Sequence, residues 1–337
     1  MKISKLHENI GISVEEIDLK NINHKDLERI KILWMENLII LFPNQNISDE
    51  DHIIFGKKFG ELEIHPSLSH RSSKNSQIYR VSNVDEEGKI IPDKQTSWQY
   101  LKQSWLWHTD SSFRKIPSNG SILHGINTTK KGGNTLFANM YKAYNDLDSS
   151  LKEEIKKLKV IHDHDYIINL SKELSKKKDK GNYDKLFPVV HPLVRRHPVT
   201  NKPSLFLSPH TMVKIKDYDE VEGRKLLDRL IEHSIQEKYV YKHVWSDHDI
   251  LMWDNRCTMH SVEPFNNNTV KRIMHRVTLV GDHEPKMASL TYMSANLLAF
   301  LFCNPTIQFK NKVNTENKPR QIRHLFEFQI PEKLGKL

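Results

Sequence analysis

A chain of 337 residues, 37% hydrophobic and 28% charged, can bury one sizeable core. Its net charge of +9 lies mostly in two polar stretches, residues 171–185 with six lysines against three acids and residues 310–337 with seven Lys/Arg against three, which argues against a nucleic-acid surface. With no secretion signal, no apolar run of the roughly 18 residues a membrane helix needs, and only Cys257 and Cys303, a cytoplasmic protein without disulfides or a membrane partner is expected.

In chain order, Leu27, Ile30, Leu33 and Trp34 fall at helical spacing over residues 26–35, ahead of a compact apolar strand at 37–42. Ser48-Asp49-Glu50-Asp51 has the form of a capping box, predicting a helix with Ile54, Phe55 and Phe59 on one side and Gly60 at its end. Strands then dominate, at 78–82, 104–107, 121–126, 135–138, 189–195, 204–207, 239–244, 250–253 and 275–280, separated by Gly, Pro, Asn and Asp turns. Predicted helices interrupt them at 142–160 and 220–236, the second with Val221, Leu226, Leu227, Leu230 and Ile231 as its apolar stripe. The pattern is mostly β with flanking helices. A Lys-rich stretch within 165–188 reads as a mobile cover or as a plain surface loop. Residues 283–337 form an extension whose apolar start and basic tail leave core packing, a partner surface and disorder open.

The chemistry concentrates in a few places. If residues 105–110 are extended, His108 and Asp110 project to one face and can reach one ion. His24-Lys25-Asp26 shows the same spacing at the edge of a predicted helix, where solvated surface is the better reading. His260 follows an apolar strand and the turn Asp254-Asn255-Arg256; alone, such a histidine is most often an ordinary hydrogen-bonded residue. Two imidazoles and one carboxylate on one face of a metal leave three positions open. Arg272 and Arg276 would share a face of an extended segment, and two buried cations need anions, although each alone reads as a surface ion pair. Thr135, after Gly132-Gly133, is either a hydroxyl donor to a carboxylate or a plain strand former.

Four motifs, at residues 107–113, 132–135, 253–260 and 272–276, together resemble those of the TauD/TfdA family of iron(II)- and 2-oxoglutarate-dependent dioxygenases, over about residues 5–282. The resemblance implies a double-stranded β-helix, or jelly roll, for a domain spanning 1–282. It implies catalytic iron(II) on His108, Asp110 and His260, 2-oxoglutarate on Thr135 and Arg272, oxygen as cosubstrate, and Arg276 on the acidic group of the substrate. Residues 82–89, 192–195 and 237–243 resemble the aryloxyalkanoate branch, which favours a carboxylate substrate. Glu63-Ile64-His65-Pro66 resembles the taurine branch, yet Leu68 and Ser104 replace the tyrosine and asparagine found there. The expected activity is hydroxylation of a small anionic organic acid with release of succinate and carbon dioxide. Halogenation is disfavoured because Asp110 holds the position a halide would need. An alkylsulfonate dioxygenase is the alternative within the class; a non-catalytic anion-binding or sensor protein on the same fold is the alternative outside it. His65 and His210 are pocket candidates, each equally readable as a packed structural histidine, while His162 and His164 read as surface positions on a strand. Self-association into a homo-oligomer is left open.

Overall fold

A computed structural model describes residues 1–65, 70–166 and 186–288. A short hairpin of β1 (Lys2–Lys5) and β2 (Ile12–Glu15) leads into α1 (His24–Asn37), which starts where the Asn23 side chain accepts from the backbone N–H of Asp26 and buries Ile30, Leu33 and Trp34. After β3 (Ile39–Phe42) comes α2 (Asp49–Lys57), opened by the expected capping box between Ser48 and Asp51. Of the expected buried side of α2, Phe55 is buried and Phe59 packs against the core, whereas Ile54 is exposed and Ile53 takes its place. The chain continues through β4 (Tyr79–Arg80), α3 (Thr96–Leu101), β5 (Gly120–Asn127), β6 (Thr135–Asn139), α4 (Met140–Asn145), α5 (Ser149–Ile155), β7 (Lys159–His162), β8 (Val189–Pro192) and β9 (Val194–Arg196). It ends with β10 (Pro203–Leu205), β11 (Met212–Ile215), α6 (Glu220–Ser234), β12 (Val240–His243), β13 (Ile250–Asp254), β14 (Thr258–Val262), β15 (Ile273–Leu279) and β16 (Lys286–Met287).

Three expectations are corrected. The helix at 142–160 is two helices and a strand, because the Asp148 side chain accepts from the N–H of Leu151 and restarts the helix as α5. The strand at 189–195 divides at Leu193, since β8 pairs with β7 while β9 pairs with β10. No strand forms at 104–107: Lys102–Trp105 is a 3-10 turn in which the Ser104 hydroxyl donates to the Leu101 carbonyl at 2.7 Å.

A seven-stranded sheet, ordered β1-β2-β3-β13-β5-β15-β4, forms the main layer. Strand alternation sends its side chains into two cores. Ile122 of β5, Met252 of β13 and Val277 of β15 meet Ile30, Trp34 and Phe55 of α1 and α2. Leu123, Trp253 and Met274, one position out of phase, meet Phe137 of the three-stranded sheet β12-β6-β14. Burial on both faces explains why β13 is a continuous apolar run in the sequence. Behind the smaller sheet, Ala138 and Met259 pack against Met140, Leu151, Leu227 and Leu230 of α4, α5 and α6. Each fully buried large side chain contributes about 1.5–3 kcal/mol by removal from water, and together they fix the two sheets between which the polar site lies.

Candidate active site

His108 and His260 are joined by an isolated antiparallel bridge, in which each backbone N–H donates to the other's carbonyl at 2.8 Å. That bridge, rather than a shared strand face with Asp110, sets the two imidazoles 4.1 Å apart. Asp110 arrives from the turn after it, where Ser111 takes a left-handed φ of 55°. The ligand atoms of His108, Asp110 and His260 all lie within 4.8 Å of one another, and all three residues are buried. His108 Nε2 stands 3.9 Å from Asp110 Oδ1 and His260 Nε2 3.8 Å from Oδ2. Because His108 Nδ1 bonds the Leu106 carbonyl at 2.8 Å, its proton sits there and the Nε2 lone pair faces the carboxylate.

Electrostatics suit a cation at this point. Burial pushes both imidazoles below their ordinary value, keeping them neutral as metal ligands must be. Burial opposes the charge of Asp110, yet the Arg276 guanidinium and the Ser121 hydroxyl hold its carboxyl well below the usual range. Arg276 Nη1 donates to Oδ1 at 2.8 Å and the Ser121 hydroxyl to Oδ2 at 2.8 Å. His260 Nδ1 is buried without a protein partner.

Beside this cluster lies a buried guanidinium. Arg272 is 3% exposed; its Nε donates to the Gly133 carbonyl at 3.2 Å and its Nη2 has no partner. Burial alone pushes it down to about 10, which marks a cation lacking an opposing carboxylate. The Gly132-Gly133 turn is required here: both have φ near +68°, and a Cβ on Gly132 would come within 2.2 Å of the Pro264 carbonyl. The turn delivers Thr135, whose hydroxyl oxygen accepts from Trp245 Nε1 at 3.0 Å. With that acceptor position used, the hydroxyl hydrogen is free to donate. Arg272 stands one residue before β15 and reaches Gly133, Arg276 reaches Asp110 from within β15, and Val277 and Leu279 enter the core beside α1 and α2.

On the other side of the triad a pocket is lined by His65, Tyr79, Tyr100, Phe113, His210 and Arg276 among others. The His65 ring lies 4.1 Å from that of Tyr79, and burial and Arg276 push its imidazole well below the ordinary value. His210 Nε2 bonds Gln103 Oε1 at 3.0 Å; burial and the neighbouring His108 push it down to about 3. Both candidates therefore meet at the pocket, and each is also packed. Ser104 lines the same wall, whereas Leu68 lies outside the described residues.

His162 and His164 are not surface residues. His162 is fully buried with Nδ1 2.9 Å from the Thr211 hydroxyl and its ring packed on Phe206 and His191, and the His164 ring, in the turn after β7, packs 4.6 Å from Phe113. His24 is exposed at the start of α1, as expected. Residues 167–185, and 289–337 of the extension, lie outside the described residues. Ser121 of β5, Gln103 of the 3-10 turn and Trp245 in the loop after β12 orient the candidates from distant segments and carry no spacing signal.

A second buried group, His197, Asp254 and Cys257, also has ligand atoms within 4.8 Å. Asp254 is saturated: Arg256 donates to both carboxylate oxygens at 2.8–2.9 Å and His197 Nε2 lies 3.0 Å from Oδ2. Burial pushes the Cys257 thiol well up, so it is a poor ligand.

No helix among the described residues is long and apolar enough to cross a membrane. The sequence matches the family described as "Taurine catabolism dioxygenase TauD, TfdA family" over residues 2–278. It is 31% identical over 285 residues to the alpha-ketoglutarate-dependent 2,4-dichlorophenoxyacetate dioxygenase of Cupriavidus pinatubonensis, covering 82% of this chain and 96% of that protein. It is 29% identical over 287 residues to the (S)-phenoxypropionate/alpha-ketoglutarate-dioxygenase of Sphingobium herbicidovorans, covering 83% and 95%. The crystal structure of AAD-2 in complex with Mn(II) and N-oxalylglycine superposes with a TM-score of 0.74 at 32% identity, covering 85% of this chain and 98% of that one. With its motifs, its buried His-Asp-His cluster and these relatives in agreement, the chain belongs to the TauD/TfdA dioxygenase family, on the dichlorophenoxyacetate side of it.

Proposed function

We propose that this enzyme hydroxylates a small aryloxyalkanoate-like carboxylate using 2-oxoglutarate and oxygen, with iron(II) held by His108, Asp110 and His260. The observation that carries the reading is the buried Arg272, with an open N–H and no carboxylate, beside a cluster of two neutral imidazoles and one carboxylate. That donor set suits non-haem iron and leaves positions for a cosubstrate. When bound, iron(II) supplies the oxygen chemistry that couples decarboxylation of 2-oxoglutarate to succinate with hydroxylation of a C–H bond.

The chain's own residues bind, orient and exclude water. Arg272 and the Thr135 hydroxyl hold the far carboxylate of 2-oxoglutarate, with Trp245 fixing the direction of that hydroxyl. Arg276 keeps Asp110 ionised and oriented through Nη1, and its buried, unpartnered Nε faces the acidic group of the substrate. Tyr79, Tyr100 and Phe113 supply apolar walls for an aryl group, and His65 and His210, both neutral, complete the pocket. Hydroxylation of a carbon bound to an ether oxygen gives a hemiacetal, which collapses without further catalysis.

The two facing sheets and the family membership support a jelly roll for the catalytic domain, which takes in residues 283–288 of the expected extension because β16 pairs antiparallel with β9 and Ala288 packs behind the smaller sheet. Nothing in this reading calls on nucleic acid or a membrane, and it fits a cytoplasmic enzyme. The test is succinate formation from 2-oxoglutarate with iron(II), ascorbate and a panel of aryloxyalkanoates and alkylsulfonates. Release of a phenol from an aryloxyacetate is the expected result; stimulation by sulfonates alone would replace the reading with the sulfonate one, and no succinate with any acid would remove it.

A further inference from the structure

The turn that delivers Asp110 delivers a second guanidinium four residues later. Its backbone is pinned, with Arg114 N–H donating to the Ser111 carbonyl at 2.9 Å and His191 Nε2 bonding the Arg114 carbonyl at 2.9 Å. The side chain lines the same pocket as Arg276, and its Nε is buried without a partner. Its ion-pair partner is Glu63, whose side chain is 8% exposed and whose carboxylate stands 3.9 Å from Arg114 Nη2, too far for a direct hydrogen bond. Glu63 is set facing Arg114 and Arg276 because its N–H donates to the Thr278 carbonyl at 2.8 Å, two residues along β15 from Arg276; burial pushes its carboxyl above the ordinary value, and the two guanidiniums oppose that shift and favour its charged form. It bonds little else: the Ser111 hydroxyl stands 3.4 Å away.

We infer that Glu63 and Arg114 set the charge class of the substrate, restricting the pocket to a single anionic group. This rests on the proposed use of iron(II), 2-oxoglutarate and Arg276. In that loaded site the metal, Asp110, the 2-oxoglutarate dianion and Arg272 cancel one another. Glu63 then cancels one of the two remaining guanidiniums and leaves one unit of positive charge, which a monoanion satisfies and a dianion overfills. Glu63 acts through the field at the two arginines and is a positioning residue, whereas Arg114 offers an N–H to the bound molecule.

Equilibrium binding to protein loaded with Mn(II) and N-oxalylglycine tests this without turnover, using phenoxyacetate and its dianionic analogue 4-carboxyphenoxyacetate. The wild type should favour the monoanion. Glu63→Gln should shift the affinity ratio toward the dianion by about tenfold or more, the effect expected of one unit charge a few ångströms away at an effective dielectric near 20. Arg114→Gln should shift it the other way, and the double variant should return the wild-type ratio. Glu63→Asp, which keeps the charge, should leave the ratio in place, as a merely steric role would not. An unchanged ratio in Glu63→Gln, or a double variant that fails to restore it, overturns the inference. Shifted ratios in a protein that never forms succinate uphold it and remove the hydroxylation reading alone.

Discussion

Two buried groups each bring histidine and aspartate together, and they do opposite things with a carboxylate. Asp254, at the end of β13, receives Arg256 on both oxygens and His197 on one, so a buried charge is neutralised inside the protein. Asp110 also receives a guanidinium and a hydroxyl, but both imidazoles near it stand 3.8–3.9 Å away, beyond hydrogen-bond reach, with Nε2 turned inward. The first group braces the turn that carries the chain from β13 into β14; the second is spaced for an ion. The contrast shows that a set of ligand-type residues becomes a candidate metal site when its imidazole nitrogens face the carboxylate without bonding it.

Replacement at each group separates the two roles. His108→Ala should lower succinate formation by at least about a thousandfold while the thermal midpoint of the metal-free protein stays within a few degrees of wild type; a parallel collapse of folding would erase the distinction. Asp254→Asn should do the reverse, destabilising the fold by about 3–5 kcal/mol because Arg256 loses its buried countercharge, with the 2-oxoglutarate KM of the remaining folded enzyme unchanged. Denaturant titration beside steady-state kinetics reads both. Arg272→Gln should raise the 2-oxoglutarate KM about a hundredfold, the loss of a buried charge-assisted contact of roughly 2–3 kcal/mol, leaving metal affinity alone.

Acid sharpens the comparison from the far face of the main sheet. Burial and His124 push His52 down to about 3, and burial with His248 and His275 pushes His124 down to about 4. The unfolded chain therefore binds more protons than the folded one once pH falls below about 6.5, so this stability is fully present above that value. It is lost between pH 6.5 and about 4 at about 1.4 kcal/mol per pH unit for each histidine. The carboxyls of Asp110 and Asp254, held low, lose their contribution only below the ordinary carboxylate range. Urea midpoints measured at pH 7, 6 and 5 should fall accordingly, and a flat profile would contradict these assignments. The smallest effect expected is that of Trp245→Phe, which releases the Thr135 hydroxyl and should raise the 2-oxoglutarate KM about threefold.

Much of this was legible in the chain. The capping box at Ser48 and the strand at 250–253 follow from local patterning, and both form. His108-Thr109-Asp110 was legible as a motif but not as a geometry: its predicted strand is absent, and the two histidines meet through a bridge between residues 152 positions apart. The expected surface positions His162 and His164 failed because the rings that cover them, Phe206, His191 and Phe113, come from other segments of the chain, which nothing local records.

The sequence by itself determined which residue types could carry the chemistry, the order in which they occur and the faces they share within one element, since these depend on side-chain chemistry and on the two- and 3.6-residue periods of the backbone. Tertiary structure alone decided which donors are left open. The difference between Asp254, satisfied by Arg256 and His197, and Arg272, buried with an N–H unused, arises from what distant segments bring against each group. Desolvation and partnering are properties of that assembled environment, and no window of sequence contains them.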